Sequence, residues 1–325
     1  MTTVDLRPLS LGEVLDRTFT LYRSHFWLFV GIMALPHVVN VVLNLLIQGI
    51  LGPVFALPPG LDPQKAGLGE VVKGGGYFVA VLLSGLVGWV LYSLALGATT
   101  TALSDVYFDR RATIRGAYRK VQGRLWALMG VTFAVMVRFV GLAALFFVVF
   151  FLLIAIPAAV IGRGSPIVVA VIGLLFFALT VAAMIVIMLR YAVAIPALLL
   201  ENIKARQALK RSVLLTKGQK ARLFLIFFLM LLMAYVVILI LQWPLWTATA
   251  LIAQKSRQVP VWLSSLTVVA GGIGGALSGP LLMIGFSLLY YDVRIRKEAF
   301  DLQMMLSALE PVAPPRETPP AVTGA

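Results

Sequence analysis

Four residues of one apolar run are spaced so that their side chains share a helical face. His37, Asn40, Asn44 and Gln48 lie at i, i+3, i+7 and i+11, and at 100° per residue they fall within about an 80° arc. Inside hydrocarbon, imidazole and amide groups must find partners in protein or in a water-filled space. Two readings follow: hydrogen bonds to neighbouring helices, or the lining of a polar cavity. One histidine with two asparagines is a poor ligand set for a metal, so no metal site is assigned.

Two arginines, Arg138 and Arg190, are the cations that stand inside apolar runs. No carboxylate lies mid-run to compensate them, since Asp105, Glu201 and Asp292 all stand at run ends. Arg138 follows Arg124 by 14 residues and Arg190 precedes Glu201 by 11. Antiparallel helices joined by the turn Gly162–Ser165 would bring both guanidiniums to one level. An unpaired charge in lipid is costly. It is relieved by snorkelling to the headgroups or by an anion. The second answer is a bidentate arginine site for a phosphate, most simply an anionic lipid headgroup, with Asn40, Asn44 and Tyr191 as supporting donors.

Elsewhere Gly271, Gly275 and Gly279 repeat every four residues, a glycine zipper that lets another backbone approach closely. Ser93, Gly97 and Thr101 form a milder version. Packing within the bundle is the expectation, and homodimerisation through this face is the alternative.

Much chemistry is excluded. The chain has no cysteine and two histidines, His25 and His37, so thiolate chemistry and most histidine-dependent catalysis are out of reach. No Walker loop, dinucleotide fingerprint, zincin motif or nucleophile elbow occurs. The absence of a mid-membrane carboxylate disfavours proton- or sodium-coupled transport. No catalytic residue and no cofactor is assigned.

The elements that position these residues follow from composition. Of 325 residues, 61% are hydrophobic and 12% charged, and mean hydropathy is +0.99. A soluble domain is about half apolar and a quarter charged. The chain is therefore read as all-α, a polytopic membrane bundle of six transmembrane helices with cytoplasmic amphipathic helices. The spans are Phe26–Ile50, Tyr77–Leu103, Leu125–Ile161, Pro166–Leu200, Leu223–Ala253 and Pro260–Tyr291. Each exceeds the roughly 20 residues needed for a crossing. The third and fourth are too long for one straight crossing. They are expected to project beyond the bilayer at their basic ends rather than bend at Gly130 or Pro196. Pro36, Pro157, Pro196, Pro244 and Pro280 predict kinks.

Lysines and arginines set the orientation. Twenty flank the spans on the side of both termini and five on the other, which predicts a multi-pass protein of the plasma (inner) membrane with both termini cytoplasmic. Trp27 and Trp126 on the inner side, with Trp243, Trp246 and Trp262 on the outer, fit an aromatic belt. The net charge of +14 is distributed as topology requires, so nucleic acid is not expected as a partner.

Ser10-Leu11-Gly12-Glu13 reads as a capping box, with Leu9 and Val14 in the staple positions. It opens a basic amphipathic helix, either lying in the interface or packed under the bundle. Val14-Leu15-Asp16-Arg17-Thr18-Phe19 is echoed by Ala208-Leu209-Lys210-Arg211-Ser212-Val213 and weakly by Ala117-Tyr118-Arg119-Lys120. Spans 1, 3 and 5 are thus each preceded by such a helix, which suggests three hairpins on one plan. After span 6, opposite charges at Asp292–Arg296, Arg294–Glu298 and Lys297–Asp301 predict a helix continuing to about Leu306. The segment Leu51–Gly76 is expected to be an irregular outer loop. The division is residues 1–25 as an amphipathic N-terminal helix, 26–306 as the membrane domain and 307–325 as a proline-rich disordered tail.

Three stretches, PLSLGEVLDRTFTLYRSHFWLF, IPALLLENIKARQALKRSVLLTKG and LLYYDVRIRKEAFDL, resemble an uncharacterised bacterial membrane-protein family. That family is labelled the membrane domain of glycerophosphoryl diester phosphodiesterase. The resemblance implies a six-span integral membrane protein. It carries over no phosphodiesterase activity, because the metal-binding carboxylates and histidines of that enzyme have no counterpart among these residues. The functional expectation is a non-enzymatic protein whose basic cytoplasmic face contacts anionic membrane lipids or a protein partner. The alternative is a permease-type subunit for a lipid-like or amphiphilic solute.

Overall fold

The computed structural model describes residues 7–51, 68–152, 166–256 and 259–299. Its helices are α1 Leu11–Ser24, α2 Phe26–Leu51, α3 Leu68–Tyr107, α4 Ile114–Gln122, α5 Leu125–Phe150, α6 Pro166–Tyr191, α7 Ala194–Leu200, α8 Ala205–Thr216, α9 Lys220–Ser256 and α10 Val261–Glu298. No strand occurs among the described residues. Six helical stretches are long and apolar enough to cross a membrane, so the chain is an all-α, multi-pass integral membrane protein.

Hairpin pairing follows the order of the spans: α2 packs on α3, α5 on α6 and α9 on α10. Helix α10 also packs along α2, which makes it central. The amphipathic helices α1, α4 and α8 gather at the end that carries the basic residues. There the core is built: Val14, Ile32, Leu103, Val121, Leu128, Leu198, Leu215 and Tyr290 are completely or almost completely buried. The membrane portion is packed far more thinly. None of the most apolar 18-residue stretch of span 3 or span 4 is buried within the protein, against 56% in span 6. Apolar side chains facing lipid lose nothing by exposure, so tight packing concentrates where water would otherwise reach them.

The capping box at Ser10 forms in full. The Glu13 amide donates to Ser10 Oγ at 3.2 Å and the Ser10 amide to the Glu13 carboxylate at 2.6 Å. Leu9 and Val14 are buried beneath it. The apolar face of α1, with Val14 and Thr18 fully buried, rests on α10 and α9, so this helix is packed against the bundle. The Ser10 amide, then Arg7 and the Ser10 hydroxyl, hold the Glu13 carboxyl down at about 2. Stability from this group is therefore fully present above its ordinary value of 4.5 and is lost as pH falls toward about 2. Ser10→Ala should cost about 1 kcal/mol at neutral pH, and Glu13→Gln should flatten that acid limb. Thermal unfolding in detergent across pH 2 to 7 checks both; an unchanged midpoint for Ser10→Ala would discard the cap.

Three expectations are corrected. The fourth span does not extend straight but breaks at Ala192–Val193, between α6 and α7. Pro196 lacks the amide that would bond to the Ala192 carbonyl, and its ring crowds that carbonyl. The segment Leu51–Gly76 is not irregular throughout, because α3 already begins at Leu68. No proline follows Pro63 to stop it, and a spanning helix tolerates Gly74–Gly76. The last helix stops at Glu298, well before Leu306, with Ala299 left-handed at φ 48°. Arg294–Glu298 and Arg296–Asp292 form as expected at 3.1 Å. Lys297 donates to the carbonyls of Leu214 and Lys217 at the end of α8. The turn 162–165, the outer end of span 3, the loop 52–67, the expected Lys297–Asp301 pair and residues 300–325, the tail 307–325 among them, lie outside the described residues.

Candidate functional site

The polar stripe of α2 faces two clefts. One, of about 400 Å³, lies between α2, α9 and α10 and is lined by His37, Asn40, Asn44, Gln242 and Thr267. The other, of about 340 Å³, lies between α2 and α3 and shares His37 and Asn40, with Trp89 and Tyr92 opposite. Asn44 Nδ2 donates to Asn40 Oδ1 at 2.7 Å. Among the described residues, the hydrogen bond from this stripe to another helix is made by Gln48, which accepts from Ser264 Oγ at 3.3 Å. The stripe thus bonds across helices at Gln48, while His37, Asn40 and Asn44 border the clefts.

The glycine zipper makes room for this stripe. A Cβ on Gly275 would stand 2.3 Å from His37 Cε1, and one on Gly271 would stand 2.7 Å from Gln242 Nε2. A Cβ on Gly279 would meet Met33 Sδ at 3.4 Å. The zipper face is thus occupied by side chains of the same chain. On α3, Ser93 donates to Thr132 Oγ1 at 3.2 Å, and Gly97 lies against Val121, Leu128 and Leu199.

Arg138 and Arg190 are both exposed. The Arg138 guanidinium lies 5.1 Å from the centre of the Tyr191 ring, a cation–π distance. It reaches back one turn to the Ala134 carbonyl, the direction snorkelling requires. Tyr191 follows Arg190 directly in the chain, so the Arg138 guanidinium lies beside the turn that carries Arg190. Asn40 and Asn44 do not join them; they line the clefts beside α2. Tyr191 instead lines a separate, mainly apolar cavity of about 480 Å³ with Tyr92, Phe139, Met188 and Phe286.

A further pair of arginines was not singled out in the sequence. Arg115 and Arg119 stand one turn apart on α4 and border a groove of about 640 Å³, whose floor is Leu35, Leu91 and Leu94. Three features hold α4 in place. Thr113 caps it, accepting from the Gly116 amide at 3.1 Å. Tyr118 Oη donates to the Ile32 carbonyl at 2.7 Å. Lys120 pairs with Asp105 at 2.5 Å. Neither Arg115 nor Arg119 has an ion-pair partner among the described residues. The available signal was the i, i+4 arginine spacing in a short helix beside two apolar runs.

The remaining charges assemble the basic end. Asp292 accepts from the Leu9 amide at 2.8 Å and pairs with Arg222 and Arg296, both at 3.1 Å. Glu201 pairs with Arg211 at 2.9 Å and accepts from Tyr290 Oη at 2.9 Å, and Arg211 also reaches Glu298 at 2.7 Å. Arg124 donates to the carbonyls of Leu198, Asn202 and Ile203, neutralising the end of α7. These clusters join residues from all three stretches quoted above. Among the described residues no three His, Asp or Glu side chains are placed to hold a metal ion. Compared with family models, curated proteins and solved structures, the chain matches none.

Proposed function

We propose that this is a non-enzymatic membrane protein whose basic, cytoplasmic end holds an anionic lipid, with the headgroup on α4. The observation that carries the reading is the groove beneath α4. Two arginines with no carboxylate partner among the described residues stand above three leucines, in what we take as the zone where spans leave the bilayer. A phosphate meets guanidiniums well, and the acyl chain covers Leu35, of which 47% is exposed. Arg138 and Arg190 serve a different purpose. Arg138 is already engaged by Tyr191 and Ala134, and both arginines snorkel, marking the inner boundary of spans 3 and 4. The three stretches that resemble the uncharacterised family build the scaffold of this end.

The test is lipid retention. Protein purified from membranes should carry a phosphatidylglycerol-type lipid visible in native mass spectra. Arg115→Gln with Arg119→Gln should reduce its occupancy at least tenfold, while Arg138→Gln with Arg190→Gln should leave most of it. Retention in the α4 double variant, or no anionic lipid on the parent, discards the reading.

A further inference from the structure

Among the described residues, two buried polar atoms in the membrane portion have no hydrogen-bond partner: His37 Nε2 and Gln242 Oε1. Gln242 is 7% exposed, donates an amide N–H to the Thr267 carbonyl at 3.1 Å and is one of the residues that line the cleft of about 400 Å³. An amide oxygen in this setting needs a donor, because hydrocarbon offers none. The apolar wall is supplied by Val41, Val268, Gly271 and Gly272.

The cleft carries no charged side chain, so its occupant is neutral. Its ends along the helix axes are flanked by packed side chains. Beyond Asn44, Gln48 and Ser264 bridge α2 to α10; on the other side Met33 sits against Gly279. An occupant therefore arrives sideways from the bilayer. The polar atoms call for a group that both donates and accepts. Gln242 Oε1 takes a proton, and the His37 ring nitrogen gives or takes one according to its tautomer. A single hydroxyl does both, whichever tautomer is present.

We propose that the cleft between α2, α9 and α10 binds the hydroxyl of a neutral, membrane-dissolved lipid alcohol. The hydroxyl donates to Gln242 Oε1 and meets His37 Nε2, while the hydrocarbon remains in the bilayer. This inference is independent of the α4 groove, which takes an anionic headgroup at the basic end. Two sources share the chemistry, a diacylglycerol and a long-chain primary alcohol, and the probes below separate them.

The experiment reconstitutes the full chain in phosphatidylcholine nanodiscs with photoactivatable diacylglycerol or photoactivatable hexadecanol, each beside its methyl ether. The expected result is labelling of α2 or α10 by at least one alcohol, at least fivefold above its ether. Gln242→Leu should reduce that labelling at least fivefold. Because an unpaired acceptor is removed, Gln242→Leu should also hold or raise the thermal midpoint of lipid-alcohol-free protein. His37→Phe, which keeps ring volume, should reduce labelling independently. Equal labelling by alcohol and ether overturns the proposal, as does undiminished labelling of Gln242→Leu. So does failure of both alcohols to label above the phosphatidylcholine background, which would leave the cleft to water. A lowered midpoint for Gln242→Leu would make the glutamine structural and overturn it too.

Discussion

Asp292→Ala should destabilise the protein by roughly 3–5 kcal/mol, the largest effect expected of any single substitution here. The carboxylate side chain is fully buried and answers Arg222, Arg296 and the Leu9 amide together. Its removal leaves Arg222, only 16% exposed at the side chain and already short of a partner at Nε, with an uncompensated charge. The Leu9 amide loses its acceptor as well, so α1 should loosen first. Detergent unfolding curves measure the loss, and limited trypsin digestion at Arg17 and Arg23 reports the release of α1. Replacing the pair together, Asp292→Leu with Arg222→Met, should recover most of the stability, because a buried ion pair exchanged for apolar groups is often neutral. A loss below about 1 kcal/mol for Asp292→Ala would show that the carboxylate is not what anchors the N-terminus.

Gly275→Ala is the second large effect, at about 1–3 kcal/mol. The added Cβ would stand 2.3 Å from His37 Cε1 and 2.8 Å from both ring nitrogens. That ring is flanked by Tyr92, with centroids 6.1 Å apart, so the added methyl group must displace it from this packing. His37→Ala in the same chain should restore the loss, giving a coupling of similar size and opposite sign. Gly279→Ala is the internal control: its Cβ meets the flexible Met33 side chain at 3.4 Å and should cost little. Equal losses at Gly275 and Gly279 would mean that the zipper is sensitive everywhere and that the His37 contact has no special part.

The number and order of spans were legible in the sequence because lipid makes the rule simple: a long apolar run must be a helix that satisfies its own backbone. The box at Ser10 was legible for the same local reason, since both its bonds span three residues. The stripe from His37 to Gln48 was legible as one face of a helix, because periodicity alone places it. What that stripe meets was not. Whether an amide facing inward finds a partner or a cleft depends on which side chain the neighbouring helix presents, and Gln242 lies 194 residues from Gln48. The same holds for the arginines. The sequence showed Arg138 and Arg190 because they interrupt apolar runs, whereas Arg115 and Arg119 sit among ordinary surface charges. Only packing sets them above Leu35 and Leu91, residues of two other helices. Asp292 likewise read as half of an i, i+4 pair. Its partnership with Leu9 and Arg222 spans 283 and 70 residues, and contacts of that range are decided by how helices stack, which no local pattern records.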